Sequence, residues 1–254
     1  MMEGNKKIGL TAELVASIKS KNNISYSYFV TKRARRFFSF FSHIFGEKSL
    51  QDIFNWRLRL SEEFDNYLFK KRISQIVDLG AGYSLRGFEA CLKNKNLIYI
   101  ELDFANVVNI KKEILKEICK KEMLNFPKNY ILIECDLLKE PIKDKIKHFL
   151  DKDKILFFAE GLVSYFNERE FNFFVDNIKS CLNKNDLFFC HENFKKPTGW
   201  FSVFRKILSI ITFNKAYKHF LTKKDIVDYS TEKGFSKINV YEKDKFLFYE
   251  VGYE

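Results

Sequence analysis

A chain of 254 residues that is 46% hydrophobic, with 29 Phe and 12 Tyr, can fill a core, which excludes a disordered protein, and its 3 Pro and 10 Gly leave few flexible linkers. The formal charge of +11 would suit an anionic partner, but the basic residues are spread along the chain without interleaved glycine; a general Lys-, Asn-, Ile- and Phe-rich composition explains them and no nucleic-acid partner is expected. Five cysteines (Cys91, Cys119, Cys135, Cys181, Cys190) lie far apart with no C-x-x-C pair, which excludes a disulfide scaffold and a zinc site and fits reduced thiols in a cytoplasmic protein.

No window approaches the roughly 18 apolar residues of a membrane span, and no signal-type apolar run follows Met1 to Lys7, so a soluble protein is expected. Residues 1–73 read as a helical N-terminal cap. Thr11 can cap a helix over 12–21 and Thr31 another over 32–45, and a third, over 50–70, carries Trp56, Leu60, Phe64 and Leu68 at helical spacing. Basic residues beside Phe37, Phe38, Phe40 and Phe41 in the second helix suit packing onto a main domain or peripheral contact with a membrane surface.

From residue 74 onward strands alternate with helices. Strands are expected at 75–80, 97–103, 130–135, 154–160 and 186–192, and helices at 84–94, 106–122, 141–150, 167–182 and 222–234. Two closing strands, 236–242 and 245–252, should form a hairpin, so one of them runs antiparallel. This is an α/β pattern with a mostly parallel sheet covered on both faces.

The first strand, Gln75 to Leu79, runs into Gly80 and Gly82, and about twenty residues on the second ends in Glu101 and Asp103. Glycines here let the backbone turn sharply and lie close to a nucleotide, and the acid stands where one would bind a ribose. A dinucleotide fingerprint needs a third glycine where this chain has Leu85; the next, Gly87, comes two residues later. The loop therefore suits a ligand without phosphates, and S-adenosylmethionine, a nucleoside with a sulfonium and an amino-acid tail, fits.

Ligands of open α/β sheets sit beyond the carboxyl ends of the strands. There the chain has Gly80 and Gly82, then Asp103, then Asp136 and Leu137, then Glu160 and Gly161, then His191, Glu192 and Asn193. Gathered carboxylates need donors or cations, which ribose hydroxyls, an adenine amino group, an α-ammonium and a sulfonium would provide. Taken singly, Asp136 could instead cap the helix after its strand.

The segments Asp78 to Phe88, Tyr99 to Phe104 with Lys111 and Lys112 after them, Glu134 to Leu138, and Phe158 to Phe166 resemble the successive motifs of the leucine carboxyl methyltransferase family. They look most similar to its branch of tetracenomycin-type polyketide O-methyltransferases, as does the stretch Gly9 to Ala16. The resemblance implies a class I methyltransferase, a Rossmann-like fold of seven strands with the last antiparallel. It implies that Gly80 lines the methionine part of S-adenosylmethionine, Asp103 binds the ribose hydroxyls, Asp136 and Leu137 flank the adenine, and Glu160 faces the methionine end. It also implies an arginine ahead of the first strand for the cofactor carboxylate, here Arg57 or Arg59. Where much of the family has Asp-Thr-Arg after the glycines, this chain has Ser84, Leu85 and Arg86.

The expected function is O-methylation of a carboxylate or hydroxyl on a small molecule, or of a protein carboxylate. A carboxylate acceptor needs no base, whereas a phenol would gain from one, for which Tyr165 and His191 are the candidates; Arg86, Arg205 and Lys206 could receive an acidic acceptor. A substrate lid is expected at 194–221, with Trp200, Phe201 and Phe204 on an apolar face. The competing function is a catalytically inactive binding protein on this scaffold, using its basic, Phe-rich segments at a membrane surface or nucleic acid.

Overall fold

The computed structural model describes residues 64, 66, 67, 71, 73–150, 154–194, 222–243 and 246–254. The helices expected over 12–21 and 32–45, most of the one over 50–70, and the lid lie outside these residues. The rest follows the expected alternation: β1 (Gln75–Leu79), α1 (Arg86–Lys93), β2 (Ile98–Asp103), α2 (Ala105–Lys121), β3 (Tyr130–Glu134), α3 (Ile142–Ile146) and β4 (Ile155–Glu160), then a 3-10 turn (Val163–Tyr165), α4 (Glu168–Cys181), β5 (Leu187–Phe194), α5 (Lys223–Glu232), β6 (Lys237–Lys243) and β7 (Phe246–Gly252). The sheet has seven strands in the order β3-β2-β1-β4-β5-β7-β6. Strand β7 pairs antiparallel with both β5 and β6, while the other neighbouring pairs among the described strands are parallel.

Period-two alternation explains the two cores. Val77 and Leu79 of β1 and Phe157 and Ala159 of β4 pack beneath α3, α4 and α5, while Ile76, Leu156 and Phe158 pack beneath α1, α2 and the helical residue Phe64. Helix starts follow local chemistry. Asn167 accepts from the Glu170 amide at 2.9 Å while Glu170 accepts from the Asn167 amide at 2.8 Å, a reciprocal cap that opens α4, and Thr222 with Asp225 does the same for α5. Helix α3 is shorter than the expected 141–150. After Ile146 the chain turns, with Phe149 N donating to Ile146 O at 2.9 Å, because residues 147–149 are exposed and give a continued helix no face to bury.

One contact fastens the segment before β1 to the far side of the sheet. The Glu250 carboxylate of β7 is fully buried; it accepts from the Tyr67 hydroxyl and from Asn239 Nδ2 at 3.0 Å, with Lys71 Nζ at 3.7 Å. Burial pushes its carboxyl from 4.5 up to about 7. The folded state therefore holds a proton that the unfolded chain releases, and wild-type stability falls as pH rises between those values. Glu250→Gln has no such proton to lose. Its stability relative to wild type should rise by about 2–3 kcal/mol between about pH 5 and about pH 8, read from urea unfolding at the two pH values; a difference that stays constant would refute the assignment.

Candidate functional site

Beyond Leu79 the backbone takes φ +69° at Gly80 and +58° at Gly82, a region that residues with a Cβ rarely adopt. In this turn the amides of Gly80 and Gly82, two residues apart, both face the end of β2. Gly80 N donates to Leu102 O at 2.8 Å and Gly82 N to Asp103 Oδ2 at 2.7 Å. Phe104 N donates to Asp103 Oδ1 at 2.8 Å, so both carboxylate oxygens are oriented by main chain. Burial raises the Asp103 carboxyl above the usual aspartate range, against the pull of these two amides. A Cβ on Gly80 would lie 2.7 Å from Leu162 Cδ1, which brings the segment after β4 against the same loop.

The displaced third glycine has a visible job. Helix α1 crosses β2 so closely that a Cβ on Gly87 would lie 2.5 Å from Tyr99 Cδ1 and 2.8 Å from Glu101 Oε1. Gly87 thus supplies the close helix–strand approach, and Leu85 is free to enter the core beneath α1.

Across β1 from Asp103, Glu160 ends β4 and meets Arg86, the first residue of α1: Arg86 Nη2 donates to Glu160 Oε2 at 2.7 Å. Both side chains are largely withdrawn from water, at 9% and 12% exposure. The guanidinium lies over the rings of Phe64 and Phe158, 5.1 and 5.3 Å from their centroids, and those rings stack on each other at 3.5 Å. An arginine on aromatic faces is held in direction as well as position.

Beneath this edge runs a row of buried polar groups that the sequence reading did not assign. Asp78 stands in register with Glu101 of β2 and Phe158 of β4, and the Tyr99 hydroxyl donates to Asp78 Oδ2 at 2.8 Å. Burial, with Glu101 alongside, pushes the Asp78 carboxyl up to about 7 against the opposing pull of Arg86 and the Tyr99 bond. Glu101 pairs with Lys111 of α2, both essentially inaccessible. Burial raises the Glu101 carboxyl while Lys111 works the other way. The available signal was a charged residue inside each apolar pattern: Asp78 and Glu101 within strand runs, and Lys111 on the buried stripe Val107, Val108, Leu115 and Ile118.

Cys135 N donates to Asp103 O at 2.9 Å, so the end of β3 adjoins that of β2. Asp136 accepts from Leu138 N at 3.2 Å and pairs with Lys139, a local turn contact, and Leu137 is buried. Tyr165, half-buried, packs against the core on the α4 side. His191 stands in register with Glu160 on β4 and Phe248 on β7, beside a bulge; its side chain lies outside the described residues. Arg57, Arg59, Arg205 and Lys206 also lie outside them. Among the described residues no group of His, Cys, Asp or Glu could hold a metal ion, and no helix is long and apolar enough to cross a membrane.

A family model described as leucine carboxyl methyltransferase matches residues 27–179, more than half of the chain. No curated protein matches by sequence. Among solved structures, an O-methyltransferase family protein from Burkholderia thailandensis is 13% identical with a TM-score of 0.51, the match covering 82% of this chain and 61% of that one. The S-adenosylmethionine-dependent methyltransferase SibL, in its apo form, is 10% identical with a TM-score of 0.54, covering 80% and 59%. PigF, solved with SAH, is 12% identical with a TM-score of 0.52, covering 72% and 51%. The chain spans a little over half the length of these structures, and what it shares with them is the fold of class I methyltransferases.

Proposed function

Because the chain belongs to the leucine carboxyl methyltransferase family, which depends on S-adenosylmethionine, we propose that it is an S-adenosylmethionine-dependent O-methyltransferase acting on a carboxylate or hydroxyl of a small molecule, or on a protein carboxylate. The observation that carries this reading is Asp103. Its carboxylate is fixed by two backbone amides beside a pair of left-handed glycines, with β1 between it and Glu160. In this reading Asp103 takes the ribose hydroxyls, Asp136 and Leu137 border the adenine, and Gly80, Gly82 and Glu160 face the methionine end. Electrostatics supports the choice of ligand. Among the described residues, four acids (Asp78, Glu101, Asp103 and Glu160) gather here with two bases (Arg86 and Lys111) in a chain of net charge +11, a local composition that suits a cationic ligand better than a phosphate.

When bound, S-adenosylmethionine supplies an electrophilic methyl on a positively charged sulfur. The protein's part is alignment and exclusion of water. A carboxylate acceptor arrives ionised and needs no base, while for a hydroxyl Tyr165 or His191 would accept the proton. Five cysteines held as thiols fit a reducing, cytoplasmic site of action.

Calorimetry with S-adenosylhomocysteine tests the reading. The wild type should bind it, and Asp103→Ala should weaken binding by about 10- to 100-fold, the worth of a charge-assisted hydrogen bond. A wild type that binds no S-adenosylhomocysteine, yet associates with RNA or anionic vesicles, would overturn the enzyme reading in favour of a binding protein. The acceptor class is read from labelled product: a methyl ester yields methanol in mild alkali and a methyl ether does not.

A further inference from the structure

Helix α2 closes on a residue ill suited to its position. Leu124 N donates to Cys119 O at 2.9 Å, the closing bond of a left-handed helix terminus, and the residue that takes the left-handed angle is Met123, at φ +52°. Glycine is the usual occupant there, since a side chain strains the backbone. Among the described residues with a Cβ, only Asn185 shares such an angle, and asparagine tolerates it. Met123 is also 92% exposed, the most exposed large apolar side chain among the described residues. Three residues on, Phe126 is 45% exposed, its ring centroid 5.9 Å from those of both Phe88 and Tyr130. The turn accepts backbone strain and holds apolar groups in water, neither of which folding asks for.

The surroundings are basic. The loop between α1 and β2 lies alongside, Asn129 Nδ2 donating to Asn94 O at 3.0 Å. Together the last turns of α1 and α2 and the loops that follow them carry exposed Lys93, Lys95, Lys120, Lys121 and Lys128 against a single acid, Glu122. Lysines in a last helical turn suit the helix end; Lys95, Lys128 and the bare methionine have no such reason. We propose that this end of the sheet docks on an anionic lipid surface, Met123 and Phe126 entering the headgroup region and the lysines meeting the lipid charge. Apolar side chains ringed by lysine match such a surface, which offers an apolar interior beneath fixed negative charge. A protein interface is depleted of lysine and draws on about 20 to 30 residues a side. Nucleic acid would call for aromatic faces or arginine, and methionine gives a base nothing to stack on. Asp103 stands at the other end of β2, about 17 Å away along the strand, so docking leaves the cofactor edge facing away from the bilayer and does not depend on the cofactor reading.

Co-sedimentation with vesicles tests the proposal. Wild-type protein should bind phosphatidylcholine vesicles containing about one-third phosphatidylserine, come off as salt rises from about 0.1 M to about 1 M, and leave pure phosphatidylcholine vesicles unbound. Met123→Gly relieves the left-handed strain and should keep or raise the urea midpoint, yet weaken vesicle binding about tenfold. Lys120→Gln/Lys121→Gln should weaken it about 25-fold, roughly fivefold for each lysine. Neither variant should change the affinity for S-adenosylhomocysteine, and saturating S-adenosylhomocysteine should leave vesicle binding as it was. If the wild type ignores anionic vesicles, or both variants bind them as the wild type does, the docking surface is wrong, whatever becomes of the cofactor reading. If the lysine variant loses binding and Met123→Gly does not, or if RNA is bound more tightly than vesicles, the surface is a patch for a polyanion and the lipid assignment is overturned. A protein that binds vesicles in the expected pattern but no S-adenosylhomocysteine would keep the docking surface and lose the cofactor reading.

Discussion

Lys111→Met should lower the folding stability by about 3–5 kcal/mol. Methionine nearly matches lysine in volume and suits the apolar stripe of α2, so packing alone would predict little change. The loss comes from Glu101, whose carboxylate is 1% exposed and has Lys111 as its ion-pair partner. Without that cation the acid must either stay charged in a dry interior or take up a proton. Protonation becomes easier as pH falls, so the deficit should be largest near neutral pH and shrink toward about pH 5. Urea unfolding of wild type, Lys111→Met and the double variant Lys111→Met/Glu101→Gln measures this. The double variant should recover much of the loss. A single variant as stable as wild type would mean that the pair is not ionised.

Phe158→Ala should cost a similar amount, about 3–5 kcal/mol, by opening a cavity where a large ring is removed from a tight core. Phe158 is fully buried in β4, stacked on Phe64 and tilted against Phe189 with ring centroids 6.1 Å apart. The ring also forms half of the shelf beneath Arg86. Phe158→Leu, which refills most of the volume, should recover more than half of the lost stability in urea unfolding; equal losses in the two variants would point to the aromatic contacts and away from the cavity.

The parts of this fold that could be read in the sequence are those set by short-range rules. Apolar runs gave every strand from Gln75 onward, and the short gap read at Lys243 and Asp244 announced the hairpin that turns β7 antiparallel, with the strand ends one residue later than expected. The pairing of Gly82 with Asp103 was foreshadowed by glycine chemistry and by the distance between strand ends. Contacts between side chains far apart in the chain were not legible. Nothing in the spacing of Arg86 and Glu160 announces that they touch, and Glu250 gives no local sign that Tyr67 and Asn239 will meet it. The end of α3 was missed because the helical pattern there rests on Ile142 and Ile146 alone, and whether a further turn forms depends on having something to pack against.

The placement of β7 between β5 and β6 bears on how the protein is made. Strand β6 leaves the ribosome first yet reaches the sheet only through β7, so until the final hairpin closes, the Phe-rich rim of β5 presents bare amides and carbonyls to any other chain nearby. Nascent or truncated chains lacking the segment after Lys243 would be sticky intermediates, in need of a chaperone or prone to self-association through that rim.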